Sequence, residues 1–164
     1  RHIEKATRMS FTESAMLAGL LHDMGKIILI LYFRKEYEAV LQEQKTRATV
    51  PLDVIEKEML GIDHAEMAYL LMKQWNLPES ISLPIRYHHN QAECPFEYLN
   101  MATMVTIADY LCHASEIGSS GNLGAVRPEA AITGLGIPEE SMDSIMEQLK
   151  EDRPHVDGFL EAME

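Results

Sequence analysis

Six side chains able to bind divalent cations lie at points in the 164-residue chain where helix ends could gather them: His22, Asp23, His64, His88, His89 and Asp109. His113 follows one turn after the last of these. Imidazole nitrogen mixed with carboxylate oxygen suits Fe, Mn or Zn, and a set dominated by oxygen suits Mg. His22 and Asp23 are neighbours at the end of a strongly apolar segment. On a helix their side chains stand ~100° apart and can grip one ion between them, with the negative helix terminus adding attraction. Asp109 follows Val105 by four residues and precedes Cys112 by three, which sets it along an apolar stripe. An unpaired carboxylate there would cost several kcal/mol, so Asp109 requires a metal, a histidine or a lysine. His64 at a helix start and His88-His89 at a helix end are placed where side chains from different helices can meet.

Blander roles compete for each residue. A lone His-Asp doublet has little specificity, Asp109 can pair with His113 at i+4, and His88-His89 can cap the carbonyls of their own helix. Lys26 is either a solvated end-of-helix residue or a contact to a phosphate. The eleven methionines read as core and gap fillers. A purely structural cluster is a third outcome, beside metal binding with or without catalysis.

The elements that must position these residues are all helical. Ser10-Phe11-Thr12-Glu13 has the form of a capping box and predicts a helix from Phe11 to about Met24, with Gly25 as its stop. Residues 27–33 read as helix continuing through 34–44. Pro51 opens a short helix that Gly61 closes. Asp63-His64-Ala65-Glu66 starts another, reaching Trp75, with Ala65, Ala68, Met72 and Trp75 on one stripe. Asn76-Leu77-Pro78 breaks the chain and restarts a helix ending at His88-His89, kinked by Pro84, with Asn90 in the left-handed position. A long helix covers 98–115, residues 116–126 form a mobile loop, and residues 127–164 supply C-terminal helices of the same domain near 128–135, 138–149 and after Pro154. The expectation is an all-α bundle, one domain over residues 1–164.

Composition narrows the function. With 14 Lys and Arg against 26 Asp and Glu, the formal charge of −12 repels a phosphate backbone and argues against nucleic acid as a partner. Cys94 and Cys112 form neither a metal-ligand spacing nor a disulfide framework, which fits a reducing, cytoplasmic compartment. The longest apolar run, residues 27–33, is far below the ~18 residues of a membrane span, so no membrane partner is expected. The chain opens on Arg1 inside an apparent helix, which predicts an N-terminally truncated start.

Taken together, Ala18-Gly19-Leu20-Leu21-His22-Asp23-Met24-Gly25-Lys26 resembles the core motif of the HD superfamily, whose members include metal-dependent phosphohydrolases. The block Glu58-Met59-Leu60-Gly61-Ile62-Asp63-His64-Ala65-Glu66, then Trp75-Asn76-Leu77-Pro78 and Ile85-Arg86-Tyr87-His88-His89, resembles the HDOD branch. Ile107-Ala108-Asp109-Tyr110-Leu111 resembles the aspartate helix, and Leu135-Gly136-Ile137 the closing helix pair. The resemblance implies an HD-like helical bundle, a bacterial signal-transduction domain with a regulatory role, and a protein partner or a fused receiver-type domain. It also implies that His22, Asp23 and Asp109 hold one divalent ion, that His64, His88 and His89 serve a second, and that Lys26 approaches a phosphate. Fe, Mn, Zn or Mg is the expected cofactor if one is bound. The alternative activity is phosphohydrolysis of a nucleotide or another phosphate ester. The HD pattern carries a further histidine on the preceding helix. His2 lies only eight residues before Ser10, where about twelve are needed, so the counterpart is expected upstream. Asn90-Gln91-Ala92-Glu93-Cys94-Pro95 lacks a G-Y-P segment, which does not support a cyclic-di-GMP phosphodiesterase.

Overall fold

The computed structural model describes Ile3 and residues 13–117 and 121–161, and all regular structure among them is helical. The order is α1 (Glu13–Leu21), α2 (Met24–Tyr32), α3 (Arg34–Thr46), α4 (Leu52–Leu60), α5 (His64–Gln74), α6 (Glu79–Arg86), a 3-10 turn at Gln91–Glu93, α7 (Phe96–Ala114), α8 (Glu129–Gly134) and α9 (Glu139–Glu161). The expected capping box at residues 10–13, the mobility of 118–120 and the position of His2 lie outside the described residues.

Local signals set the α4–α5 corner as the sequence predicts. Pro51 precedes α4 in an extended conformation, and Gly61 ends it at φ 76° with its N–H donating to the Lys57 carbonyl. Asp63 then caps α5, its carboxylate accepting from the Glu66 N–H at 2.8 Å.

Elsewhere tertiary contacts override local expectation. The first helix ends at Leu21, and Gly25 does not stop it; Gly25 is buried in the opening turn of α2. A Cβ on Gly25 would lie 1.9 Å from the His64 carbonyl oxygen and 2.9 Å from the Ala68 nitrogen, so glycine is what lets α2 and α5 touch backbone to backbone. Residues 27–44 are two helices, broken at Phe33. Helix α6 stops at Arg86, short of the histidine pair, and Asn90 sits at φ −135°. The left-handed conformation falls instead to Asn76, at φ 57°. Trp75 is exposed and off the buried stripe of Ala65, Ala68 and Met72. Helix α9 passes through Pro154 rather than ending before it. The described part of the 116–126 loop is pinned: Asn122 is buried, and its side-chain oxygen accepts from the N–H groups of Leu52 at 3.3 Å and Gly124 at 3.1 Å.

Among the described residues the apolar core falls into three clusters. Ala18, Ala68, Met72, Ile81, Ile85 and Val105 join α1, α5, α6 and α7. Leu29, Tyr37, Val40, Leu52 and Ile55 join α2, α3 and α4. Ile107, Leu111, Ile132, Ile137, Met142 and Ile145 fasten α8 and α9 to α7. One surface remains apolar: Met16, Leu20, Ile27, Ile30, Leu31 and Tyr32, on α1 and α2, are all exposed. Across α1 and α2, Glu13–Tyr32 holds an 18-residue window of mean hydropathy 1.5, a longer apolar stretch than residues 27–33 alone and one that passes for a membrane span by length and composition only. In this fold the segment breaks at His22-Asp23 and packs as part of the bundle through Ala18, Gly25 and Leu29.

Gly25→Ala should therefore lower unfolding stability by about 1–3 kcal/mol, the cost of overpacking a tight contact. Gly19→Ala, where nothing lies within 4 Å of the new methyl, should be neutral or slightly stabilising in the same urea titration.

Candidate metal centre

His22 and Asp23 occupy the joint between α1 and α2, facing the start of α5, the segment after α6 and the middle of α7. The His22 Nδ1–H donates to the Gly19 carbonyl at 2.8 Å, which turns Nε2 inward. Among the described residues that Nε2 is buried without a hydrogen-bond partner, 3.5 Å from Asp109 Oδ1 and 3.6 Å from Asp23 Oδ2. Asp23 accepts from the Lys26 ammonium at 2.8 Å through one oxygen, and its other oxygen is 3.5 Å from His64 Nε2. The Lys26 amine is thus engaged by Asp23.

His64 is the first residue of α5, so the Asp63 cap fixes its backbone. Its Nε2 lies 3.0 Å from His89 Nε2. His88 is fully buried just beyond the end of α6. It combines two roles that sequence reasoning treated as rivals: Nδ1–H donates to the Ile85 carbonyl at 2.6 Å as a helix cap, while Nε2 is buried with no partner among the described residues. The His88 carbonyl in turn accepts from the Gln91 amide at 2.6 Å and from the Thr106 hydroxyl. The ring centroids of His88 and His89 are 3.9 Å apart, those of His64 and His89 4.9 Å, and those of His22 and His88 5.2 Å.

All six side chains singled out in the sequence as ligands are brought into this one region. Among the described residues two triads have ligand atoms within 4.8 Å of one another: His64, His88 and His89, and His22, Asp23 and His88. His88 belongs to both, but with Nδ1 spent on Ile85 it offers a single lone pair and can serve one ion at a time. The buried, unpaired Nε2 atoms of His22 and His88 and the mixed nitrogen and oxygen donors fit a divalent transition metal. Such an ion would supply strong, directional electrostatic cross-linking of these side chains.

The electrostatics reinforce that fit. Burial, followed by the neighbouring imidazoles, pushes His88 and His89 well below the ordinary histidine range, leaving both neutral as ligands must be. Burial also opposes charging of His22, but the carboxylates of Asp109 and Asp23 outweigh it and raise its pKa. Asp23 and Asp109 are held below the usual carboxylate range despite burial, Asp23 by His22, Lys26 and His64, and Asp109 chiefly by His22.

Tyr37 and Glu56 escaped the sequence reading. Glu56 is fully buried: one oxygen accepts from the Tyr37 hydroxyl at 2.7 Å, and the other accepts from the His64 backbone N–H at 2.8 Å and lies 2.6 Å from His64 Nδ1. The signal was its register. Glu56 follows Leu52 by four residues, on the face that α4 buries, whereas Lys57 and Glu58 point outward.

An all-helical bundle with histidines and carboxylates converging from its helix ends defines the class. The model of the HDOD domain matches residues 1–91, and the chain belongs to that family. An uncharacterized protein of Treponema pallidum (strain Nichols) is 32% identical over 93 residues, which are 57% of this chain and 18% of that protein. The crystal structure of a "putative signal transduction protein" from Marinobacter aquaeolei VT8 superposes with a TM-score of 0.76 at 26% identity, over 89% of this chain and 32% of the other. An HDOD domain protein with unknown function from Geobacter sulfurreducens shares the fold, with a TM-score of 0.72 at 24% identity, over 94% of this chain and 55% of the other. The chain spans well under two thirds of each of these proteins.

The lowered histidines carry a pH signature. In the unfolded chain His88 and His89 titrate near the ordinary value of ~6.5, so below that pH the unfolded state takes up protons that the fold refuses. Their contribution is intact above ~6.5 and is lost as pH falls toward the folded values. His22 runs the other way, contributing fully below ~6.5 and losing its contribution as pH rises through its raised folded pKa. Chelator-treated protein unfolded in urea should therefore lose up to about 1.4 kcal/mol per pH unit for each of His88 and His89 between pH 6.5 and 5. Stability that rises on acidification would contradict this assignment.

Proposed function

We propose that this HDOD domain is a regulatory signalling module in which occupancy of the histidine–carboxylate cluster sets the geometry of a protein-docking face. The observation that carries this reading is the position of His22-Asp23. The doublet forms the joint between the two helices that carry the exposed apolar residues Met16, Leu20, Ile27 and Leu31. His22 and Asp23 would hold an ion together with Asp109 or His88 and so tie that joint to α7 and to the segment after α6. The engagement of Lys26 by Asp23 favours regulation over catalysis, since it occupies the amine that a phosphate would need. The partner is a protein surface, either a separate signalling protein or another domain of a longer polypeptide, in keeping with relatives that extend well beyond the matched region.

Clefts of about 420 Å³ and 330 Å³ that both include Asp109 in their lining support a second reading, a metal-dependent phosphohydrolase acting on a nucleotide or other phosphate ester. In that case His22, Asp23 and Asp109 would hold the ion that polarises the phosphoryl oxygens. Arg127 lines the second cleft, with its guanidinium engaged by Glu129 and Glu139.

Hydrogen exchange of chelator-stripped protein, measured before and after addition of Zn²⁺, tests the regulatory reading. Added protection over residues 13–33, abolished in His22→Ala and Asp109→Asn, is the expected result. Binding of Zn²⁺ without any change in that segment would sink it. Turnover of a phosphomonoester or phosphodiester that disappears in the same two variants would establish the second reading instead.

A further inference from the structure

We propose that Tyr37 and Glu56 are positioning residues that preset His64 as an Nε2 donor and thereby make the His64–His88–His89 triad selective for transition metals over magnesium. The proposal rests on the metal reading of the cluster. Three donors converge on the Glu56 carboxylate: the Tyr37 hydroxyl, the His64 backbone N–H and His64 Nδ1. A carboxylate only accepts, so the His64 proton lies on Nδ1 and the lone pair on Nε2. That lone pair points to His89 Nε2 at 3.0 Å. The Ile85 carbonyl does the same for His88, holding its proton on Nδ1 and leaving Nε2 buried and unpaired.

Two of the three nitrogens are therefore oriented before any ligand arrives. Glu56 has no solvent exposure, so its carboxylate acts on His64 with less screening than it would have at the surface. A carboxylate behind a ligating imidazole raises the basicity of the far nitrogen. Three neutral imidazole nitrogens suit Zn, Co, Ni or Fe, whereas Mg demands oxygen. The oxygen-bearing set of His22, Asp23 and Asp109 has no carboxylate behind its histidine, because His22 Nδ1 rests on a neutral carbonyl. Glu56 thus distinguishes the two halves of the cluster.

Glu56→Gln keeps the volume and an acceptor for the His64 N–H while removing the charge. In chelator-stripped protein titrated with Co²⁺ and followed by d–d absorption, this variant should bind about 10–100-fold more weakly than wild type. Its Mg²⁺ affinity, measured calorimetrically, should be unchanged. Tyr37→Phe should weaken Co²⁺ in the same direction by less, and Glu58→Gln, on the outer face of the same helix, not at all. Long-range ¹H–¹⁵N spectra of the metal-free wild type should show His64 protonated at Nδ1, a readout that needs no variant. Equal Co²⁺ affinity in wild type and Glu56→Gln, equal losses for Co²⁺ and Mg²⁺, or a wild-type proton on His64 Nε2 would each overturn the role of Glu56 alone. Wild-type protein that takes up no Co²⁺ would overturn the metal reading as well.

Discussion

Helices α2 and α5 meet backbone to backbone at Gly25, and the arrangement of the ligand-type side chains follows from that contact. With the His64 carbonyl occupying the space a methyl group would fill, the first turn of α2 is held against the first turn of α5. Asp23, just before α2, is therefore brought to 3.5 Å from His64 Nε2. The same docking turns the α1–α2 joint toward α7, so that His22 faces Asp109. A side chain at position 25 would pry the two helices apart and separate the halves of the cluster.

Much of this was legible in sequence wherever the signal was local. The Asp63 cap, the Gly61 stop and the Pro51 start depend on a few adjacent residues and appear as predicted. So does the gathering of His22, Asp23, His64, His88, His89 and Asp109, whose positions at helix ends and on an apolar stripe could be read from spacing alone. What failed were readings that local chemistry leaves ambiguous. A glycine that stops a helix and one that admits a neighbouring backbone look alike until the neighbour is known, and Gly25 is the second kind. Asn76 and Asn90 are equally suited to the left-handed region, and packing chose Asn76.

Glu56 illustrates a different gap. A glutamate between Ile55 and Lys57 in a short helix reads as part of a solvated face. Its burial depends on Tyr37, nineteen residues earlier, and His64, eight residues later, closing over it. Burying a carboxylate costs several kcal/mol unless its oxygens are satisfied, and here each has a partner. The converse holds at α1, where the segment before His22-Asp23 is strongly apolar in sequence but Met16 and Leu20 remain three-quarters exposed.

The Asn122 side chain adds an ordering in time to this architecture. Helix α4 begins after a proline that offers no capping side chain, and the N–H of Leu52 is satisfied by an amide oxygen 70 residues further along the chain. During synthesis, α4 would leave the ribosome with its first turn uncapped. The Leu52 N–H, at the start of the helix that carries Glu56, exchanges water for this protein acceptor only once residue 122 has followed. The histidine cluster would then mature late, after α7 has been made, so that a chain interrupted within α7 would present its imidazoles without the frame that aims them.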